Sequence, residues 1–300
     1  MNATPLERAP DPLAHGRDLY LKREDAHEIG AFKWRGALPV LERHAAAGVS
    51  AVVTASTGNH GAATAWAASR TGLRAVVFVP QGASETKVAR IRGLGAELRI
   101  EGDDFDEAKE RAAAFARTHR LPLFDDGAEP AQYEGYRAIG EEIVHELRDS
   151  PGTIVVPLGN GALIGGVAEG IGRAHTHVVG VVAKDAPVMA DSFDAGHVVT
   201  SSSGVTIADG LAVRVAIPYA VERLQPLLDE VVRVSERELA TAIARLANVG
   251  IRAEASAAAS LAALDHLDAP PEPVVLVLTG RNIDDQLFER ACSDPGSFSL

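Results

Sequence analysis

Apolar runs rich in valine and isoleucine alternate along this chain with alanine-rich stretches of helical spacing. Ala51-Val52-Val53-Thr54-Ala55 has the unbroken apolar character of a strand buried on both faces, and a helix over about 60–70 follows it, ended by Gly72. Residues 74–79 form the next strand, stopped by Pro80, and a helix over about 84–94 ends before Gly95. Residues 96–100 and 121–124 read as two further strands, and Asp103-Asp104 caps the charged helix between them. A helix over 131–147 leads to the Ser150-Pro151-Gly152 break, after which the pattern restarts. Strands follow at 153–158, 177–183, 231–234 and 273–278, the third of them leading into a helix with a Ser235/Glu238 capping box. β-α-β repetition with short links predicts an α/β fold with parallel sheets and helical crossovers. On pattern alone the chain divides once, near Pro151.

Composition narrows the class. A chain of 300 residues with 46% hydrophobic content buries the core of one or two domains. A net charge of −12 argues against nucleic acid or an anionic membrane surface as the main partner and leaves a small zwitterion open. The single cysteine, Cys292, excludes an intrachain disulfide, and the scattered histidines have no zinc spacing. The N-terminus carries Glu7 and Asp11 without an apolar run, so no signal peptide is read there. No stretch approaches the roughly 18 continuous apolar residues of a membrane span. The expectation is a soluble cytoplasmic protein with no regulatory domain after residue 300.

Four short stretches carry candidate chemistry: Gly30-Ala31-Phe32-Lys33-Trp34-Arg35-Gly36, Ser56-Thr57-Gly58-Asn59-His60-Gly61, Gly159-Asn160-Gly161-Ala162-Leu163 and Thr279-Gly280-Arg281-Asn282. The last three follow strand-like runs and so open at strand carboxyl ends, where open α/β sheets bind ligands. Lys33 taken alone is either a solvated charge or a reactive amine in apolar company. Ser56 to His60 reads both as a helix cap and as a loop aiming N–H groups at a ligand. Gly159 to Leu163 is either a structural turn or an anion loop leading into a helix N-terminus. A dinucleotide fingerprint fails there, because the third glycine is replaced by Ile164 and no acidic residue ends the next strand, which closes on Ala183-Lys184.

Together the four stretches resemble, in order and spacing, the pyridoxal-phosphate enzymes of the tryptophan-synthase-β fold (fold type II), in the threonine/serine dehydratase and serine racemase branch. The resemblance runs from Thr4-Pro5-Leu6 to Thr279-Gly280. It implies two parallel-sheet α/β domains, a large cofactor-binding one from 1–40 and 144–300 and a small mobile one from 41–143. It implies that Lys33 holds pyridoxal 5'-phosphate as a Schiff base, with Ala31 where the family usually has serine. Gly159, Asn160, Gly161, Ala162 and Leu163 hold the phosphate, Asn59 the ring hydroxyl and Thr279 the pyridine nitrogen. Ser56, Thr57, Gly58, Asn59 and His60 grip the substrate carboxylate. Serine racemases carry an acid/base serine where this chain has Thr57, whose methyl constrains its rotamer and leans the chemistry towards elimination.

Other stretches match the family with departures. Thr206 to Ala212 resembles a pocket-framing stretch, as does Glu254 with Ala255 in place of proline; a helix-start acid is the plain alternative for Glu254. Arg281 stands where dehydratases have glycine, and reads either as a specificity residue or as a surface arginine. The stretch Glu134 to Tyr136 is also altered. Family members with a structural metal use acids at the places of Ala183 and Met189, so no metal is expected there. The activity implied is deaminating β-elimination of L-threonine or L-serine to a 2-oxo acid and ammonia by a homodimer. The alternatives are a serine-type racemase, or a lyase for another β-substituted amino acid such as hydroxyaspartate or diaminopropionate.

Overall fold

In the computed structural model, which describes residues 3–172, 175–200 and 204–300, the strands are β1 (Leu6–Arg8), β2 (Leu19–Arg23), β3 (Ala51–Ala55), β4 (Arg74–Val79), β5 (Glu97–Ile100), β6 (Thr153–Pro157), β7 (His177–Ala183), β8 (Glu230–Val234) and β9 (Val274–Leu278). The helices are α1 (Asp11–Ala14), α2 (Trp34–Ala46), α3 (Asn59–Thr71), α4 (Glu85–Gly93), α5 (Phe105–His119), α6 (Pro130–Leu147), α7 (Ala162–Ile171), α8 (Val188–Ala195), α9 (Pro218–Leu224), α10 (Glu236–Asn248), α11 (Ala255–Leu264) and α12 (Asp285–Ser293). They gather into two units, Met1–Ala31 with Tyr136–Leu300, and Phe32–Gly135.

The smaller unit is built on the parallel sheet β3-β4-β5. Val53, Val76 and Phe78 from this sheet pack against Ala112 and Ala116 of α5. Asp104 caps α5 by accepting from Glu107 N at 2.9 Å, while Glu107 Oε2 accepts from Asp103 N at 3.0 Å. Residues 121–124 do not make the expected strand. Pro122 has no N–H to offer a ladder, and the pairing shrinks to one bridge between Val53 and Leu123. The units change at residues 31/32 and 135/136, where the resemblance implies 40/41 and 143/144. α2 sits in the smaller unit because its Trp34 packs edge-on against Trp66 of α3, with ring centroids 5.9 Å apart.

The larger unit holds a six-stranded sheet in the order β1-β2-β9-β6-β7-β8. All its pairs are parallel except β1 with β2. β9 runs between β2 and β6, with Leu276 opposite both Leu21 and Val155. Both β6 and β9 are buried from end to end, as the continuous apolar runs required of a sheet covered on two faces. α11 is buried along its whole length, which its small alanine and serine side chains permit. The capping box of α10 forms as the sequence indicates, Ser235 and Glu238 each bonding the other's backbone. α6 and α7 meet backbone to backbone: a Cβ added at Gly140 would lie 2.3 Å from Val167 O, and one at Gly170 2.0 Å from Arg137 O.

That contact makes Gly170→Ala a sharp probe. Helix propensity alone favours alanine by about 1 kcal/mol, so a net loss reports the helix contact. Urea unfolding is expected to give a variant less stable by about 1–3 kcal/mol; equal or greater stability would mean that α6 and α7 can separate without cost.

Candidate active site

In the larger unit the glycine loop leaves the carboxyl end of β6 and enters α7. A Cβ at Gly159 would sit 2.4 Å from Gly210 O, and Gly161 has φ +93°, so both positions need glycine. Asn160 turns back on its own loop, its Oδ1 accepting from Ala162 N at 3.1 Å. Leu163 is buried in the first turn of the helix. The stretch read as pocket-framing closes against this loop. Glu236 accepts from Thr206 Oγ1 at 2.6 Å and from Ile207 N at 2.8 Å, and Ser256 Oγ accepts from Gly210 N at 3.0 Å.

At the carboxyl end of β9, Thr279 is 2% exposed, and its Oγ1 has no hydrogen-bond partner among the described residues. A buried hydroxyl left unpaired costs on the order of 1–3 kcal/mol. Its neighbour Gly280 bridges to Ala31 and accepts from Glu254 N at 3.0 Å. A Cβ at Gly280 would lie 2.8 Å from the Glu254 carboxylate, so Glu254 is both a helix-start acid and a neighbour of the β9 end. Arg281 is occupied by the backbone: its N–H donates to Gly30 O at 2.9 Å and its guanidinium to Asp25 O. Asn282 Nδ2 donates to Ile29 O at 3.0 Å and Gly30 O at 2.9 Å. These two side chains pin the segment that runs into Lys33, and pinning is the role the geometry gives Arg281.

In the smaller unit Lys33 stands just before α2, its side chain 15% exposed. Its neighbourhood is anionic as well as apolar: Nζ lies 2.5 Å from Asp126 Oδ2 and 5.0 Å from the Phe32 ring centroid. Asp126 Oδ1 accepts from Gln132 Nε2 at 3.3 Å and lies 3.5 Å from His60 Nδ1. Burial pushes the Asp126 carboxyl up, but the charge of Lys33, that of the His60 ring when it is protonated, and the bonds from Lys33 and Gln132 outweigh it and hold the group well below the usual carboxylate range. Burial dominates at His60 and pulls it below its ordinary value, against the pull of Asp126. The neutral ring donates through Nε2 to Phe124 O at 3.2 Å. Sequence reasoning misses Asp126 and Gln132; the one signal for them is the Asp125-Asp126 pair straight after an apolar run.

The Ser56–His60 loop turns between β3 and α3. Gly58 N donates to Ser56 Oγ at 3.1 Å, so the loop caps itself. A Cβ at Gly61 would meet Ser56 O at 2.7 Å. Thr57 is half-buried, and Asn59 Oδ1 accepts from Arg90 Nη1 at 3.4 Å. The structure therefore groups Lys33 with His60 through Asp126 in one unit, and the glycine loop with residues 206–212 in the other. Among the described residues no three His, Cys, Asp or Glu side chains are grouped to hold a metal, and no helix is long and apolar enough to cross a membrane.

Comparison with known proteins shows the family. Residues 1–280 match the family model described as "Pyridoxal-phosphate dependent enzyme". The chain is 38% identical over 279 residues to an L-threonine ammonia-lyase of Geobacter sulfurreducens, covering 90% of this chain and 68% of that protein. It superposes on the processed form of threonine deaminase isoform 2 from Solanum lycopersicum with a TM-score of 0.91 at 28% identity, covering 98% of this chain and 88% of that one. It also matches the maize serine racemase structure with a TM-score of 0.87 at 25% identity, over 96% of this chain and 91% of that one.

The lowered His60 pKa has a consequence for stability. The unfolded histidine, near pH 6.5, takes a proton more readily than the folded one, so stability is fully present above about pH 6.5 and declines as pH falls below it. His60→Gln, which keeps a donor for Phe124 O, is expected to flatten the decline between pH 7 and 5.5 in urea unfolding. An unchanged slope would show that His60 is not held neutral by the fold. Asp126 does not enter this window, because its contribution is lost only as pH falls below the ordinary carboxylate value.

Proposed function

Because the chain belongs to the pyridoxal-phosphate dependent enzyme family, we propose that it converts a small hydroxy amino acid, L-threonine or L-serine, to a 2-oxo acid and ammonia. The likeness to the Geobacter ammonia-lyase supports the reaction class, and the observation that carries the reading is the Thr279 hydroxyl. A buried oxygen without a protein partner at a strand's carboxyl end fits a polar ring atom of the cofactor. A neutral hydroxyl there, in place of a carboxylate, suits loss of a β-substituent over transamination. The close-packed glycines at 159 and 161 fit a phosphate that backbone N–H groups surround.

When bound, pyridoxal phosphate supplies the electron sink that makes the substrate's α-hydrogen acidic. Lys33 Nζ would hold the cofactor and, once released from it as a neutral amine, would accept the α-proton. Gly159, Asn160, Gly161, Ala162 and Leu163 would seat the phosphate, and Thr279 Oγ1 would supply a hydroxyl to a polar ring atom. Ser56, Thr57, Gly58, Asn59 and His60 orient the substrate carboxylate, with Asn59 also turned to the cofactor. His60, neutral and donating to Phe124 O, transfers no proton in the reaction. Thr57, where racemases carry serine, favours elimination over inversion. A homodimer acting in the cytoplasm completes the reading.

The test is 2-oxo acid release from L- and D-threonine and L- and D-serine with added pyridoxal phosphate. Activity on an L-substrate is expected, falling by at least about 10³-fold in Lys33→Ala. D-amino acid accumulating without 2-oxo acid would replace the lyase with a racemase. Thr279→Val is expected to act with opposite signs in the two forms of the protein. Removing an unpaired buried hydroxyl leaves the cofactor-free protein equally or more stable, while cofactor affinity falls about tenfold, the worth of one hydrogen bond. Parallel urea unfolding and cofactor titration measure both, and unchanged affinity would separate Thr279 from the cofactor.

A further inference from the structure

Asp126 is a charged neighbour of Lys33 that the reaction above does not use. We propose that it is a positioning residue for Lys33, holding its Nζ in place whenever that atom is not bonded to cofactor. This rests on Lys33 being the cofactor lysine. The two carboxylate oxygens divide the work. Oδ2 meets Lys33 Nζ at 2.5 Å, while Oδ1 is tethered by Gln132 Nε2 at 3.3 Å and faces His60 Nδ1 at 3.5 Å. Gln132 is itself held, its Oε1 accepting from Gly127 N at 2.8 Å, which fixes which end of the amide faces Asp126. The adjacent acid plays no part in this, since Asp125 pairs outward with Lys109 at 2.8 Å. Asp126 is thus a partly buried carboxylate built to stay in one place and to present one oxygen to Lys33.

A lysine side chain has rotamer entropy to lose when its amine must sit at one point. A charge-assisted bond to an anchored carboxylate offsets that loss. In the reaction the α C–H bond breaks and an N–H bond forms at Lys33 Nζ. The proton goes no further, because Asp126 stays ionised and serves as the counter-charge to the ammonium that forms. A displaced amine without this seat would spend much of its time away from the α-hydrogen, and misplacement on the ångström scale costs about 10²-fold in rate.

The experiment compares full-length wild type with Asp126→Asn and Asp126→Glu in two assays. In cofactor-free protein at pH 7.5, the rate at which trinitrobenzenesulfonate modifies Lys33 is followed by mass spectrometry of its peptide. Loss of the ion pair is expected to raise this rate about tenfold in Asp126→Asn, with Asp126→Glu returning towards wild type. In the loaded enzyme, kcat is expected to fall about 10²-fold in Asp126→Asn with KM little changed and the cofactor absorbance retained. Asp126→Ser removes the same charge and takes the place of the asparagine variant should that one not fold. A modification rate equal to wild type overturns the proposal, whatever happens to kcat. Failure of the cofactor assignment is a separate result, seen as cofactor retention and turnover in Lys33→Ala, and the modification rates do not depend on it.

Discussion

The larger unit depends on β9 lying between β2 and β6. Its parallel pairing with β2, from Leu19 opposite Val274 to Arg23 opposite Leu278, joins segments about 250 residues apart in the chain. Its pairing with β6 brings the end of β9 level with the start of the glycine loop. Strands running the same way end on the same side, so Thr279 and Gly159 open at one edge of the sheet without any contact having been arranged between them. The residues just past β9 then act on the N-terminal segment. Gly280 bridges Ala31, and Arg281 and Asn282 take up the carbonyls of Asp25, Ile29 and Gly30.

The groups around Lys33 and the hydroxyl at the end of β9 are treated differently. Around Lys33 the charges are paired and tethered, and the carboxylate of Asp126 is satisfied on both oxygens. At the end of β9 the Thr279 hydroxyl is buried and left over. Ser260, another buried hydroxyl, is satisfied by donating to Val277 O, and a polar atom of another molecule would complete Thr279 in the same way. The cost is small enough for a protein of this size to bear.

Much of the architecture is legible in the sequence because its signals are strong and local. Strands β3, β4, β6, β7 and β9 are unbroken apolar runs, and the caps at Asp104 and Ser235 follow from side-chain chemistry. The failures have physical reasons. β1 has three residues and β2 five, and both owe their place to a partner strand far along the chain, which no local period reports. Residues 121–124 carry apolar side chains, but Pro122 denies them a ladder. In the site, the glycine loop, Lys33 and Thr279 are visible as motifs. Asp126 is not, because 93 residues separate it from Lys33 and only the fold joins them. Arg281 resembles a specificity residue in sequence, while its actual partners, backbone carbonyls, have no sequence signature.

The order of strands along the chain also sets an order in time. During synthesis β1, β2, β6, β7 and β8 all leave the ribosome before β9, which occupies an interior position in their sheet. Until about residue 278 has been added, β2 and β6 have no strand to join them. Unit Phe32–Gly135 is continuous in sequence and is under no such delay. From the completion of β7 until β9 is made, about the last third of synthesis, the nascent chain therefore carries two half-sheets with exposed apolar edges, the kind of surface that chaperones exist to cover.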